Sequence, residues 1–324
     1  MDDAFLYRAV CYRGVGMRKE IEQAVALLEK QDPKALEHAL ELLQDTVFSF
    51  SMKVCGQRED AEDTMQEVLV KSLPYLPKFE SPRALLVWLY KVAKNRCLMS
   101  RRKSKFAPKQ DLSLEELMPD RLELARVAQQ RPVNPESLAI RSQQAKRLRE
   151  AIQQLPPQYR IVLVLRDMEG LTDDEVGDIT GLRAGTVRVR LHRARLFVRQ
   201  TLAQDGHKRR TSRQAVSPAI SKTAAKSDRR PASCKALFAQ LSDYLDEQLD
   251  DSLCQELEEH FEGCAPCQAF LASLESTIEQ LRKAPSDQLK PATAAKIRRE
   301  LLAKYPFPQR IAFEDSANSE SLSI

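Results

Sequence analysis

Glycine and aromatic residues are scarce in this sequence. Its 324 residues include 9 glycines, and aromatic residues make up 6% of the chain. Runs in which apolar and polar residues alternate, the pattern typical of half-buried strands, are hard to find. These absences argue against a sheet-rich protein. Apolar residues instead recur at spacings of three and four, as do Leu36, Leu40, Leu43 and Val47, and this predicts an all-α chain.

Long apolar runs are also lacking. No run approaches the ~18 residues that a transmembrane helix needs, and the start of the chain has no signal-peptide pattern. We therefore expect a cytoplasmic chain with no membrane partner. The chain has 7 cysteines, and in a cytosolic protein these favour buried thiols or a metal site over a disulfide framework.

The charge is small in total but uneven along the chain. The net charge is +5, yet residues 94–105 carry six basic residues and no acid. Residues 234–283 carry three basic and eleven acidic residues, a net charge of −8. A basic patch and an acidic module in one chain indicate an electrostatic partner for each.

Two stretches without an apolar stripe are predicted to be linkers. Residues 106–135 carry four prolines, and residues 205–233 are rich in Lys, Arg, Ser and Ala, which makes the second a flexible basic linker. The other predicted segments are an N-terminal arm (1–20), three domains (21–105, 136–204 and 234–283), and an amphipathic helix with a disordered tail (284–324).

Residues 171–197, "LTDDEVGDITGLRAGTVRVRLHRARLF", have the pattern of a helix-turn-helix. Thr172 followed by Glu175 is a capping box that starts the first helix. Gly181 permits the turn, and a second helix begins near Ala184. A solvated basic helix is the alternative interpretation.

At 100° per residue the second helix has a core face and an outward face. The core face carries Val187, Leu191, Ala194 and Val198. Side chains on the outward face of such a helix read base edges, and flanking arginines hold phosphates. The predicted DNA-binding residues are Arg188, Val189, His192 and Arg193 on that face, with Arg190 and Arg195 beside it.

The stretch "HFEGCAPC" at 260–267 has the spacing H-x3-C-x2-C, which suits zinc. His260 and Cys264 are four residues apart on a helix end, and Cys267 follows one turn later. A structural zinc ion needs a fourth ligand. Cys254 is six residues before His260, about 240° around the same helix, whereas Cys234 precedes a separate helix that can fold back. We therefore predict one zinc ion, structural or sensing, on Cys234, His260, Cys264 and Cys267. Unrelated buried cysteines are the alternative.

The sequence around the helix-turn-helix resembles a known family. "LREAIQQLPPQYRIVLVLRDMEGLTDDEVGDITGLRAGTVRVRLHRAR" is similar to the fourth region (σ4) of extracytoplasmic-function (ECF) sigma factors. Upstream, "REDAEDTMQEVLVKSL" and "VWLYKVAKNRCLMSRRK" resemble the second region (σ2) of the same family. The resemblance covers roughly 21–105 and 136–203 and implies a σ2 helical bundle followed by a σ4 helix-turn-helix domain.

The resemblance also implies partners. In the family the acidic face of σ2 docks on RNA polymerase core, and here that face carries Asp63, Gln66 and Glu67. The acids Asp60, Glu62, Asp63 and Glu67 lie in the first turns of a helix, where acids also suit the helix dipole, and this is the alternative explanation for each of them. Basic and polar residues on and after the next helix suit the phosphates of partly melted promoter DNA. These residues are Asn95, Arg96, Arg101, Arg102 and Lys103.

The segment "CKALFAQLSDYLDEQLDDSLCQELEEHFEGCAPCQAFLASL" resembles the zinc-binding anti-sigma fold. In the family such domains normally arrive as separate proteins and wedge between σ2 and σ4. Here a fourth helix is expected over 289–304, with Ile297 and Leu301 on one face. The module is in cis, so the resemblance implies an intramolecular contact between the C-terminal domain and the sigma regions.

The sequence therefore predicts a non-enzymatic sigma factor that a C-terminal anti-sigma-like domain regulates in cis. One alternative is a helix-turn-helix DNA-binding regulator that does not bind polymerase. Another is a sigma factor whose C-terminal domain is required for activity instead of inhibiting it. A zinc hydrolase is a distant third, because four protein ligands leave no open position for water.

Overall fold

The computed structural model contains helices and no strand in the part of the chain that it describes. The described residues are 19–30, 32–79, 81–101, 111–119, 123, 138–213 and 237–304. This confirms the predicted all-α class. Within these ranges no helix is both long enough and apolar enough to cross a bilayer.

The N-terminal bundle (residues 19–101) is built from four helices. They are α1 (Lys19–Leu28), α2 (Pro33–Cys55), α3 (Arg58–Ser72) and α4 (Pro82–Arg101). The backbone N–H of Ala35 donates to the Asp32 carboxylate at 3.0 Å, so Asp32 caps α2 and Pro33 occupies a first-turn position that needs no donor. At the other end Gly56 has a φ of 81°, a left-handed conformation that glycine adopts without steric cost.

The helix-turn-helix domain (residues 138–213) follows. Its helices are α6 (Leu138–Gln154), α7 (Pro157–Leu163), α8 (Asp173–Thr180) and α9 (Ala184–Arg213), and α7 continues as a π-helical turn, Val164–Met168. A short helix before it, α5 (Leu114–Leu117), lies in the segment predicted to be a linker. The helix α9 also extends past residue 204, so the start of the predicted basic linker is helical.

The C-terminal module (residues 237–282) has three helices, α10 (Leu241–Leu245), α11 (Asp251–Gly263) and α12 (Ala265–Arg282). The tail helix α13 (Pro291–Lys304) follows it. Ile297 and Leu301 are buried on one face of α13, as expected. That face packs on α2, where the Gln44 side-chain amide donates to the Ala294 carbonyl at 3.2 Å and Arg298 lies 3.1 Å from Glu41.

The N-terminal bundle and the helix-turn-helix domain pack directly on one another and share one apolar core. A second core joins the C-terminal module to Leu196 of α9 and Leu117 of α5. The family resemblance implied a module wedged between the first two domains. Among the described residues the module lies against α9, and the segment after α12 and the tail helix reach the N-terminal bundle.

The expectation that the cysteines are thiols or metal ligands is wrong for one pair. Cys55 at the end of α2 and Cys97 on α4 form a disulfide, although they are 42 residues apart in the sequence. Packing of α4 across the end of α2 brings them together. Sequence spacing alone could not reveal this, because the contact depends on how the helices cross.

Candidate nucleic-acid interface and metal centre

The start of the helix-turn-helix is fixed by local contacts. The Thr172 hydroxyl accepts from the Glu175 backbone N–H, and the Glu175 carboxylate accepts from the Thr172 N–H at 2.8 Å, which completes the predicted capping box. Gly181 ends α8 with a φ of 76°. A Cβ atom on Gly177 would lie 2.7 Å from the Leu182 carbonyl oxygen, so the close approach of α8 to the turn requires glycine at this position.

The helix α9 buries the predicted core face. Val187, Leu191, Ala194 and Val198 are each at most 1% exposed. The periodicity argument for this face is therefore confirmed.

The six residues predicted to face DNA separate into two groups. Val189 is 50% exposed, and Arg190 and Arg193 are partly exposed. The other three contact the C-terminal module, and they are Arg188, His192 and Arg195. The module covers this second group in the structure, and the assignment of its three residues to DNA binding stays a prediction.

Arg195 is fully buried between two carboxylates. Its guanidinium donates to Asp167 of the π-helical turn at 2.6 and 2.9 Å, and to Asp246 of the module at 2.7 and 3.0 Å. Burial alone would lower the pKa of Arg195, but the charges of Asp167 and Asp246 outweigh it and raise the pKa above its ordinary value. In this arrangement Arg195 cannot also hold a phosphate.

His192 lies one turn before Arg195 and is also buried. Its Nδ1 is 2.8 Å from the Ser242 hydroxyl oxygen, and its buried Nε2 has no hydrogen-bond partner among the described residues. Burial, followed by the positive charges of Arg195 and Arg193, lowers the pKa of His192 to about 4. The imidazole is therefore neutral at pH 7.

Two further arginines extend the same stripe of α9 in both directions. Arg188 donates to the Gln248 side-chain oxygen at 3.1 Å. Arg199 donates to the Ser273 hydroxyl at 3.1 Å and lies 3.7 Å from the centre of the Phe270 ring, a cation–π distance. The module thus binds residues 188, 192, 195 and 199, which are spaced by four, three and four along one face of α9.

Sequence reasoning missed Arg199 and the carboxylates that hold Arg195. The spacing of 188, 192, 195 and 199 was a usable signal, because three- and four-residue steps mark one helix face. This spacing did not reveal that the C-terminal module is the surface that covers the face.

The residues of the predicted polymerase-binding face lie on α3. Asp63 is exposed, and Gln66 and Glu67 are partly exposed. Glu67 forms ion pairs with Lys71 at 2.8 Å and with Arg96 of α4 at 2.7 Å. All these partners belong to the N-terminal bundle, so the observed contacts with the C-terminal module do not engage Glu67.

Three of the residues predicted to bind DNA in the N-terminal bundle, Asn95, Arg96 and Arg101, lie on α4. Asn95 is exposed and Arg96 is partly exposed. Arg101 is the last residue of α4, and its side chain is not among those that the structure describes. Arg102 and Lys103 lie outside the described residues.

Three of the four predicted metal ligands converge. The donor atoms of His260, Cys264 and Cys267 all lie within 4.8 Å of one another, and His260 Nε2 is 3.4 Å from the Cys267 sulfur. The end of α11 supplies the histidine, and the turn into α12 supplies the cysteines. Two thiols and an imidazole at this separation fit zinc.

Among the described residues no fourth side chain joins this group. Cys234 lies outside them, and Cys254 does not belong to the converging group. Leu237 and Phe238 line the same small cleft as His260 and Cys267. Leu237 is three residues after Cys234 in the sequence, so the first described residues of the module lie beside the predicted metal ligands.

Comparison with known families matches all three domains. Residues 40–106 match sigma-70 region 2, residues 145–198 match sigma-70 region 4, and residues 234–268 match a zinc-finger family. The ECF RNA polymerase sigma factor SigW of Bacillus subtilis is 27% identical over 186 residues, which are 57% of this chain and 98% of SigW. The chain therefore contains matches to sigma-70 regions 2 and 4 and is similar to ECF RNA polymerase sigma factors.

Two further similar proteins match about half of this chain. The ECF sigma factor SigE of Mycolicibacterium smegmatis is 33% identical over 53% of this chain and 62% of its own length. Among solved structures, the sigma factor RpoE in complex with the anti-sigma factor NepR from Bartonella quintana covers 53% of this chain and 99% of that chain, at 21% identity and a TM-score of 0.38.

The N-terminal bundle contains the match to region 2 and is called σ2 below, and the helix-turn-helix domain contains the match to region 4 and is called σ4. The C-terminal module coincides with the zinc-finger match. The individual DNA-, polymerase- and zinc-binding residues stay predictions.

Proposed function

We propose that this chain directs RNA polymerase core to specific promoters and that its C-terminal module regulates this activity in cis by covering the recognition helix α9. The observation that carries the proposal is the contact of the module with Arg188, His192 and Arg195, three of the residues predicted to bind DNA. Since the same side chains cannot bind the module and DNA at once, the two compete. No catalytic step is part of the proposal.

The chemistry of the covering segment supports competition with DNA. Residues 242–248 present to α9 a hydroxyl, an amide and carboxylates, and DNA presents similar hydrogen-bond acceptors to a recognition helix. Gln248 accepts from Arg188, as a base edge would, and Asp246 accepts from Arg195, as a phosphate would. The covering segment is therefore a chemical substitute for the promoter.

Polymerase binding is proposed for the α3 face. Asp63 is exposed, and Glu67 is available at the surface beside it. In the family this position of σ2 faces polymerase core. We propose that Asp63, Gln66 and Glu67 make that contact here.

One zinc ion is proposed to hold the module together through His260, Cys264, Cys267 and Cys234. When bound, the ion supplies a structural cross-link between the start of the module and the α11–α12 turn. A module of this size has too small a core to be secure alone, which is the usual reason for a structural metal. The position of Leu237 and Phe238 beside the converging ligands supports Cys234 as the fourth.

The test is promoter-dependent transcription in vitro with polymerase core and the full chain. We compare the wild type with Asp246→Asn, which keeps the shape of the side chain but removes one carboxylate from Arg195. Glu258→Gln is the matched control, because Glu258 is exposed on the same module. We expect the wild type to support weak transcription, Asp246→Asn to raise it several-fold, and Glu258→Gln to leave it unchanged.

Two results would contradict the proposal. Lower transcription with Asp246→Asn would mean that the module is required for activity. Absence of both transcription and co-purification with core, in chains that bind DNA, would indicate a helix-turn-helix regulator that does not use polymerase.

A further inference from the structure

A buried ionic contact joins σ2 directly to σ4. The Lys53 ammonium of α2 lies 2.7 Å from a carboxylate oxygen of Glu169, the residue that follows the π-helical turn of σ4. The Tyr90 hydroxyl of α4 donates to the other oxygen of the same carboxylate. Lys53 and Tyr90 belong to σ2, and Glu169 belongs to σ4.

The contact is almost completely removed from water. The side chain of Glu169 is 0% exposed and that of Lys53 is 6% exposed. Tyr90 is 0% exposed and stacks on Phe50, with ring centres 4.3 Å apart. A buried charge that loses its partner is strongly destabilising, because it has neither the partner nor water.

Other contacts fix the two regions in the same register. Arg160 of σ4 donates to the Val54 carbonyl at 2.9 Å, and the Gln153 side-chain amide of σ4 donates to the Lys53 carbonyl at 3.0 Å. In the opposite direction, the Lys94 ammonium of σ2 donates to the Ile179 carbonyl of σ4 at 2.7 Å. These groups also lie between σ2 and σ4, and none belongs to the C-terminal module.

We propose that σ2 carries a docking surface for σ4 of the same chain, centred on Lys53 and Tyr90, and that this surface closes the chain through Glu169 without help from the C-terminal module. The regulation then has two layers. Release of the module exposes the recognition helix, and σ2 and σ4 stay closed until the Glu169 contact is also broken. The functional meaning of this second layer rests on the proposed function, whereas the closure itself does not.

The ion pair acts mainly by selecting one closed arrangement. When σ2 and σ4 separate, Lys53 and Glu169 both regain water, so the pair contributes little net stability. Removing one charge has a different effect. Glu169→Gln leaves Lys53 buried without a counter-charge in the closed form only, and the equilibrium therefore shifts toward the open form, on the order of a hundredfold.

The experiment measures the separation of σ2 and σ4 in the full chain by energy transfer. The two probes are attached through non-natural amino acids at Glu22 and Asp178, which are exposed on α1 and α8. All variants carry Asp246→Asn, which loosens the module independently of any metal. With Lys53 and Glu169 intact, we expect the short separation to persist. Adding Glu169→Gln should lengthen it, and the charge swap Lys53→Glu with Glu169→Lys should shorten it again.

The matched control is Arg83→Gln. Arg83 pairs with Glu175 across the same σ2–σ4 boundary, but its side chain is 54% exposed, and exposed pairs contribute little. We expect Arg83→Gln to leave the separation unchanged. Circular dichroism and thermal melting check that each variant is folded. If Glu169→Gln does not fold, Tyr90→Phe replaces it as the test variant. Since Tyr90→Phe removes only one hydroxyl, we expect it to lengthen the separation by a smaller amount.

Three outcomes would overturn the proposal. They are opening on Asp246→Asn alone, a short separation that persists in folded Glu169→Gln or Tyr90→Phe, and failure of the charge swap to close a folded chain. None of these outcomes affects the transcription test, so the proposed docking of σ4 on σ2 and the proposed function can fail separately.

Discussion

At the scale of single residues, the interface between α9 and the C-terminal module is centred on a buried arginine that two carboxylates neutralise. Arg195 makes four hydrogen bonds to two carboxylates. One of these carboxylates, Asp167, belongs to σ4 and stays with Arg195 when the module leaves. The other, Asp246, leaves with the module, so the release of the module does not strand Arg195 in an apolar site.

His192 makes the closed form sensitive to pH. Its pKa is lowered to about 4 in the closed form, whereas a solvent-exposed histidine has a pKa of about 6.5. The closed form therefore holds the neutral imidazole, and its stability is complete above pH 6.5 and falls as the pH drops toward 4. Between pH 7 and pH 5 we expect a loss of about 2 kcal/mol, roughly twentyfold in the closed-to-open ratio.

Energy transfer between probes at Glu258 on the module and Asp178 on σ4 would measure this release as a function of pH. His192→Gln is the control, because a neutral amide can still reach Ser242 but does not titrate. Asp243, whose pKa is raised first by burial and then by neighbouring acids, titrates in both proteins. An equally steep pH response in His192→Gln would show that histidine is not the cause.

Arg193 and Arg190 of α9 are partly exposed and should differ in their effects. Arg193 was assigned to base reading, so Arg193→Ala should cost about 1–3 kcal/mol and relax the preference at one promoter position. Arg190 was assigned to a phosphate, so Arg190→Ala should weaken all sequences alike and lower the salt dependence of binding. Binding of a panel of single-base promoter variants at two salt concentrations measures both, in an Asp246→Asn background. Equal base preference before and after Arg193→Ala would mean that the outward face is assigned wrongly.

At the scale of helices, α9 shows how one element serves three surfaces. One face enters the σ4 core, the stripe from Arg188 to Arg199 meets the module, and the remainder with Val189 stays exposed. A period of 3.6 residues allows this division, because each face recurs every three or four residues. Periodicity identified the core face correctly. It could not separate the two polar faces, since both carry arginines.

The turn between α11 and α12 brings three of the predicted zinc ligands together. Substitution of single cysteines should distinguish the thiols that bind zinc from those that do not. We expect about one zinc ion per chain in the wild type and in Cys254→Ser, because Cys254 lies outside the converging group. Cys264→Ser and Cys234→Ser should both lose zinc. Structural zinc contributes on the order of 10–16 kcal/mol in small domains, so the module should loosen and transcription should rise.

Metal content by mass spectrometry and transcription in vitro are the two measurements. Full zinc in Cys264→Ser would contradict the ligand set. Retention of zinc in Cys234→Ser together with its loss in Cys254→Ser would show that Cys254, and not Cys234, is the fourth zinc ligand. Unchanged transcription after complete loss of the metal would show that zinc does not control the module.

At the scale of the whole molecule, the closed chain covers the recognition helix while Asp63 on α3 stays exposed. The module and the proposed polymerase face therefore lie on different parts of the molecule. We expect the full chain to co-purify with polymerase core even when it is closed, and Asp246→Asn to raise DNA binding without changing this affinity.

Charge reversal at Asp63 and Glu67 together should weaken co-purification with core. The physical reason is that two exposed acids at a docking face steer a basic partner, and reversal makes them repel it. Charge reversal at Glu59, which is exposed on the same helix, is the control. Unchanged binding in a folded double variant would favour the regulator that does not use polymerase.

The sequence by itself determined the all-α class and the local caps of several helices. The Asp32 cap, the Thr172–Glu175 capping box and the turn at Gly181 are local, because each depends on residues within one helical turn. The convergence of His260, Cys264 and Cys267 is equally local, since their spacing places them at one helix end. Such features need no knowledge of how domains pack.

The tertiary structure alone decided which charged side chains are buried and what they meet. Arg195 reads in the sequence as a surface arginine like Arg190, and its burial follows from Asp167 and Asp246, which are 28 and 51 residues away. Glu169 meets Lys53 across 116 residues, and Cys55 meets Cys97 across 42. Burial of a charge is stable only when a partner arrives with it, and helix periodicity carries no information about a partner on another domain.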